Sequence, residues 1–246
     1  MKIELSFSGA HLDELHLREK NVVVIDVLRS STTIVTALAN GAREVIPVAS
    51  VENAVKISGS LFGDVTLRGG ERQGKIIDGF NLGNSPLEYS QGTVQGKSII
   101  YCTTNGTVAI VKAKYARNLV IGAFVNLSKV VEFIRELDQD VMIICAGNQL
   151  AFGNFSLEDT VCGGMIIDEV IRMKGHDIEF TDGSTAAHML YKKHSKSLGK
   201  MIRSSSHGQY LKELGFSEDL ELSARIDAFP VLPIYFGNAI KIKKDE

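Results

Sequence analysis

Short apolar runs punctuate this chain and alternate with longer stretches of helical composition. The sharpest is residues 22–27, VVVIDV, in which Asp26 alone interrupts the apolar positions. A run so short and so rich in β-branched residues predicts a strand covered on both faces. Arg29, two serines and two threonines follow, then IVTALA, which predicts a helix over 32–40 closed by Gly41 as its C-cap. Residues 44–49 and 141–146 repeat the buried-strand pattern, and residues 51–61 the helical one. Residues 2–7 alternate in polarity, so a half-exposed strand is expected there, with a loop over the polar HLDELHLREK behind it. Ser156 starts a helix that carries Glu158 and Asp159 in its first turn. Further helices are expected around 183–194, 204–214 and 217–226, with turns at Gly199 and Gly215. The closing FPVLPIYFGNAIKI predicts one or two short edge strands, since Pro230 and Pro233 cannot serve a central ladder.

Strands alternating with helices predict an α/β fold of three layers, with a mostly parallel sheet built from repeated β-α-β units. Residues 1–246 are expected to form a single domain, and a change of character near residue 180 marks where a subdivision would fall. Two units, about 22–51 and 96–125, look like copies. TIVTALANGAREVI from Thr33 and TVAIVKAKYARNLV from Thr107 match at an offset of 74, which sets Ala39, Ala42 and Arg43 on Ala113, Ala116 and Arg117. The same offset sets Ile25 on Ile99 and puts the turn TTNGT where the first copy has RSSTT, so the fold is expected to have two similar halves. Between the copies, residues 69–97 are glycine-rich with few apolar positions, which fits a binding loop better than a linker. Within it, Asn84-Ser85-Pro86 reads as an N-cap with Pro in the first helical turn.

Composition narrows the function. A net charge of −2 with 23% charged residues excludes a broad basic face for nucleic acid or a polybasic membrane patch. No apolar run is long enough to span a bilayer, and the N-terminal segment is too charged for a signal peptide. Cys102, Cys145 and Cys162 lack zinc spacing and are expected to be free thiols of a cytoplasmic protein. If the chain self-associates, a homodimer is the commonest outcome.

Several familiar phosphate-handling motifs are missing: no GxxxxGK[ST] loop, no GxGxxG, no Cys-x5-Arg loop. What remains are polar turns, most of them directly after apolar strands: DVLRSSTT, the GGERQG to GFNLGNSP segment, TTNGT, and CAG followed by SLED. Strand-to-helix junctions of an open α/β sheet are where ligands bind, and free amides at a helix start favour anions. Arg29 and Arg72 can grip oxyanions, Asn84 and Ser85 can donate to them, and Thr103, Thr104, Asn105, Gly106 and Thr107 offer hydroxyls and amides. Glu158 and Asp159 bring carboxylates to the same region, which makes sense if a hard cation such as Mg²⁺ lies between them and the anion. Asp26, an acid at the end of an apolar strand, is the leading candidate for a catalytic and metal-binding role. Cys145, among VMIIC, is expected to be a core thiol, and His207 a surface or capping residue.

IDVLRSSTT, GERQGKIIDGFNLGNSPLE, TTNGT and CAG followed by FSLED, in this order, resemble the 2-phosphosulfolactate phosphatase family. The resemblance covers nearly the whole chain, and the GFNLGNSP segment is its most specific part. Ser30 and Asn81 stand where the family usually has Ala and Asp, and the loop 148–154 is atypical. The resemblance implies an Mg²⁺-dependent α/β phosphatase that removes phosphate from 2-phospho-3-sulfolactate on a route to coenzyme M. Asp26 with Glu158 and Asp159 would hold the metal, while Arg29, Arg72 and the TTNGT amides would take the phosphoryl and acid groups. Water would be the nucleophile; a covalent step from Cys145 or Asp26 is the rival route. From a different class, a non-catalytic sensor for an anionic phosphorylated metabolite would need the same anion site without turnover.

Overall fold

In the computed structural model, which describes residues 1–9, 12–60, 65–148, 155–174 and 178–243, the apolar runs become strands of one large sheet. The strands are β1 (Lys2–Ser6), β2 (Asn21–Ile25), β3 (Glu44–Pro47), β4 (Thr66–Arg72), β5 (Lys75–Ile76) and β6 (Ser98–Cys102), then β7 (Asn118–Gly122), β8 (Val141–Cys145), β9 (Glu179–Phe180), β10 (Pro233–Phe236) and β11 (Ala239–Ile242). They lie in the order β5-β4-β6-β3-β11-β10-β7-β2-β8-β1-β9. The helices are α1 (Glu14–Leu17), α2 (Ser30–Ala39), α3 (Val51–Ser60), α4 (Gln91–Val94), α5 (Gly106–Lys112) and α6 (Leu127–Leu137), then α7 (Leu157–Lys174), α8 (Asp182–His194), α9 (Leu198–Ser204), α10 (Ser206–Glu213) and α11 (Ser217–Ser223). The architecture is α/β, with helices on both faces of a mostly parallel sheet. Among the described residues no helix is long and apolar enough to cross a membrane.

Strand β2 shows why the layers form. All five of its residues are buried. Val22 and Val24 pack with Ile34 and Leu38 of α2 and Ile110 of α5. Val23 and Ile25 face the other way, onto Val130 and Ile134 of α6 and Val161 and Ile166 of α7. Each such side chain contributes about 1.5–3 kcal/mol on leaving water, so the strand is held by two cores at once.

The sheet has two parallel sets, β4-β6-β3 and β7-β2-β8-β1-β9. The antiparallel hairpin β10-β11 joins them through one residue pair on each side, Ile234 with Val120 and Ile240 with Val45. Outward from the hairpin the order reads β11-β3-β6 on one side and β10-β7-β2 on the other. The unit β2-α2-β3 therefore starts in one set and ends in the other, and β6-α5-β7 does the reverse. In a flat sheet β2 and β6 would lie roughly 24 Å apart, five strand spacings. Yet a Cβ built on Gly106, after β6, would stand 2.4 Å from the Cβ of Ser30, after β2. The sheet is therefore bent, and the turns behind β2 and β6 meet.

Several expectations are corrected here. The hairpin is not at an edge: Pro233 is the first residue of β10, and so little of the hairpin pairs outward that its missing N–H costs the neighbouring strands nothing. Gly237 and Asn238 both take positive φ, which suits the tight turn between its strands. Residues 69–72 are the end of strand β4 rather than loop, and Gly70 must be glycine there, because a Cβ would stand 1.9 Å from the Cys102 carbonyl. The polar segment after β1 holds the short helix α1, capped by Asp13. Gly199 lies inside α9 rather than in a turn, whereas Gly215 does turn, at φ +92°. Ile25 ends β2 but Ile99 is the second residue of β6, so the offset of 74 holds for β3 and β7 and not for the strands that precede the turns. Most of the loop 148–154 lies outside the described residues.

Candidate functional site

A cleft of about 380 Å³ opens where the ends of β2, β4 and β6 come together. Its walls include Asp26 and Arg29 behind β2, Glu71 to Gly74 from β4 onward, Asn84, Thr104 and Asn105 behind β6, Asn148 behind β8, and His207 and Tyr210 of α10. Thus Asp26 and Arg29, Arg72, Asn84, and Thr104 and Asn105, drawn from four separate segments of the chain, share one cavity.

Asp26 is the first residue beyond β2 and is buried, with its Oδ1 accepting from the Ser30 amide at 3.3 Å. Burial is the largest influence on its carboxyl and pushes it up to about 7; the Glu71 and Glu158 charges push the same way, while His207 and the Ser30 amide pull it down. Asp159, also buried, is raised well above the usual carboxylate range, first by burial and then by the Asp26 and Glu158 charges. Its oxygens accept from the amides of Val27 at 2.8 Å and Gly147 at 3.3 Å, tying the ends of β2 and β8 to α7. Burial would raise Glu158 too, but hydrogen bonding and the charge of His207 outweigh it and hold Glu158 below its ordinary value. His207 Nδ1 lies 3.6 Å from Glu158 Oε1.

Three carboxyl groups this near one another, two of them resisting ionisation, leave room for added positive charge. Hard oxygen donors are the right chemistry for Mg²⁺, which commonly takes one or two carboxylates and fills its shell with water and substrate oxygens. Asp26, Glu158 and Asp159 are nevertheless not one ready-made ligand set. Among the described residues no three Asp, Glu, His or Cys side chains converge closely enough to hold a metal ion. Of the three acids, only Asp26 lines the cleft; Asp159 is engaged with backbone amides and Glu158 with His207.

The arginines differ. Arg29 is buried, with Nη1 donating to Asp219 Oδ2 at 2.8 Å and Nη2 to the Gly74 carbonyl at 2.9 Å, and its guanidinium stacks 4.2 Å from the Phe216 ring centroid. It pins α11 and the β4–β5 turn to the start of α2 as well as forming cleft wall. Arg72 is less buried and donates to the Glu71 carbonyl and to Cys102 Sγ at 3.1 Å. Glu71 accepts from the amides of Thr104 and Gly74, both at 2.8 Å, and so fixes β4 to the turn behind β6.

Other expected binding groups are taken up inside the protein. Ser85 sits at the N-cap position of a 3₁₀ turn over Pro86–Glu88, but its hydroxyl donates to Asp219 Oδ1 at 2.6 Å. Thr103 and Thr107 close their turn on each other, each accepting the other's amide through its hydroxyl, and neither lines the cleft. With the Thr104 amide on Glu71, the amides of Thr103, Thr104 and Thr107 are all engaged within the protein. Gly106 contributes by having no side chain: its Cβ would meet Ser30 and lie 2.5 Å from Asp26 Oδ2. The hydroxyls at the start of α2 likewise turn inward, Thr32 to the Val27 carbonyl and Thr33 to that of Asn84.

Sequence reasoning missed His207, Tyr210 and Asp219, and assigned no role to Glu71. A conspicuous Ser-Ser-Ser-His-Gly turn was the only signal for His207, and nothing local links it to Glu158. Cys145 is the core thiol expected, fully buried and with its thiol pushed well up by that burial.

A family model described as 2-phosphosulpholactate phosphatase matches residues 9–238. The chain is 39% identical over 234 residues, 95% of each chain, to a protein of Caldanaerobacter subterraneus subsp. tengcongensis named "Probable 2-phosphosulfolactate phosphatase". A Clostridium acetobutylicum protein of the same name is 40% identical over 241 residues, 98% of this chain and 100% of the relative. One from Symbiobacterium thermophilum, again so named, is 41% identical over 215 residues, 87% and 90% of the two chains.

Proposed function

The chain belongs to the 2-phosphosulfolactate phosphatase family, and we propose that it hydrolyses 2-phospho-3-sulfolactate to 3-sulfolactate and phosphate with the help of Mg²⁺, a reaction of the coenzyme M biosynthesis type. The observation that carries this reading is the meeting of Asp26, Arg29, Arg72 and His207 in one cleft with side-chain amides around them. A three-carbon substrate bearing phosphate, carboxylate and sulfonate needs several separated donors, and phosphoryl transfer needs mainly positioning and charge neutralisation.

Asp26 would hold the metal, with Glu158 behind it adding negative charge; Mg²⁺ would supply positive charge against the phosphoryl oxygens. Arg72, on the rim of the cleft, takes an anionic group of the substrate. Arg29 keeps the start of α2 in place and turns what remains of its guanidinium to the cleft. His207, with Nδ1 toward Glu158, holds its proton at Nε2 for the leaving C2 oxygen. Water adds to phosphorus and the ester P–O bond breaks. The departing oxygen takes the proton of His207, and the proton lost by the water restores it.

The test is phosphate release over a panel of 2-phospho acids, in Mg²⁺ and in EDTA. Release from 2-phosphosulfolactate that EDTA abolishes and Mg²⁺ restores supports the reading. Tight binding of these compounds without release would replace it with a sensor.

A further inference from the structure

Two buried tyrosines face the segment that carries Asn84. Tyr89 donates its hydroxyl to the Gly83 carbonyl at 2.7 Å, and Tyr101 of β6 donates to Asn84 Oδ1. Their rings pack edge-on with centroids 6.3 Å apart. On the other side, Thr33 donates to the Asn84 carbonyl at 2.8 Å, and the Gly70 amide meets the carbonyls of Leu82 and Gly83 at 3.1 Å. Asn84 is thus held at its backbone and at one end of its side chain.

The other end is open. An amide has one acceptor oxygen and one nitrogen carrying two donors. With Oδ1 accepting from Tyr101, Nδ2 has no protein partner among the described residues, and it is not sealed away, since Asn84 lines the cleft. A tyrosine hydroxyl so deeply buried keeps its proton. Rotating the amide would put a carbonyl oxygen into a cleft meant for anions, and the Tyr101 hydroxyl could accept from Nδ2 only by turning its own hydrogen away.

We propose that Tyr101 is a positioning residue that locks the Asn84 amide with its N–H₂ toward the cleft, making a neutral donor subsite for a carboxylate or sulfonate oxygen of the substrate. This rests on the phosphatase reading for the identity of the ligand, but the locked amide stands on the geometry alone. A neutral donor beside Asp26 recognises an acid group without adding a charge that would compete with the cation for the reacting phosphoryl group. It also selects esters that carry an acid beside the phosphate over plain monoesters.

The experiment uses the full chain with Tyr101→Phe, Asn84→Ala and Asn84→Asp, assayed on 2-phosphosulfolactate and on p-nitrophenyl phosphate, which has no acid group. Losing one fixed neutral hydrogen bond should raise KM for the phospho acid about tenfold in Tyr101→Phe, with kcat and the p-nitrophenyl phosphate kinetics unchanged. Asn84→Ala should raise KM for the phospho acid by at least as much, and Asn84→Asp should raise it on the order of 100-fold, because a fixed negative charge then faces the acid. An unchanged KM in Tyr101→Phe, or an equal fall in kcat on both esters, overturns the proposal. If the wild-type chain releases phosphate from neither ester, the phosphatase reading fails. Calorimetric binding of 3-sulfolactate then decides: about tenfold weaker binding in Tyr101→Phe supports the amide subsite, and equal binding refutes it.

Discussion

Replacing Asp26 by Asn should stabilise the metal-free protein at alkaline pH while abolishing its activity. The Asp26 carboxyl is held at about 7 in the fold against an ordinary 3.8. Below 3.8 the group is protonated in both folded and unfolded chains and costs nothing. As pH rises from there the unfolded chain ionises first, so stability is lost across the window up to about 7 and then levels off. At about 1.36 kcal/mol per pH unit, the loss at pH 8 is at most roughly 4 kcal/mol. Asn keeps the oxygen that accepts from the Ser30 amide and never ionises. For a chain of this length about 2–4 °C accompanies each kcal/mol, so Asp26→Asn should melt up to roughly 8–16 °C above wild type at pH 8 in EDTA. At pH 4 the two should melt within about 2 °C of each other. The assay is differential scanning calorimetry at both pH values. A variant that is less stable at pH 8, or gains equally at both, would refute the claim that a buried charge at this position is uncompensated.

Other outcomes follow from neighbouring contacts. Arg29→Met strands the buried Asp219 carboxylate, which the salt bridge reaches at 2.8 Å, and should cost about 3–5 kcal/mol in urea unfolding. Adding Asp219→Asn should recover at least about 1 kcal/mol of that, and no recovery would contradict the pairing. Gly106→Ala drives a methyl group into Ser30 and Asp26 and should lower kcat/KM on the order of 100-fold while costing about 1–3 kcal/mol of stability. Gly59→Ala, where a Cβ meets nothing within 4 Å, serves as its silent control. Cys145→Ala should keep phosphatase activity within about twofold and lose about 1 kcal/mol of stability; an inactive but folded variant would point to a thiol nucleophile.

Those elements that declare themselves by local pattern could be read from the chain. β2, β6 and β8 are runs buried on both faces, so apolar continuity announces them. α7 announces itself through the Ser156 hydroxyl, which accepts from the Asp159 amide. Strand β4 hides because its last turn of chain needs Gly69 and Gly70 for close approach to Tyr89, Tyr101 and Cys102, and glycines read as loop. The central place of the β10-β11 hairpin is invisible because a proline-bearing strand is normally marginal, and only the tertiary bend of the sheet makes room for it. In the site, Asp26 and Arg72 stood out as charges among apolar or glycine-rich neighbours. Arg29 did too, but its partner Asp219 lies 190 residues away, so its commitment to a salt bridge could not be foreseen. The hydroxyls of Thr103, Thr107 and Ser85 looked available because composition does not say whether a turn closes on itself.

Phosphate release from 2-phosphosulfolactate by wild type and by Asp26→Asn, side by side in saturating Mg²⁺ at pH 8, tests most directly whether the cleft around Asp26 is where the ester is cleaved. Steady turnover by the wild type and a fall of roughly a thousandfold or more in the variant are predicted, with the variant melting at or above the wild-type temperature when both are measured in EDTA. Turnover within about tenfold of wild type in a folded Asp26→Asn protein would contradict the account.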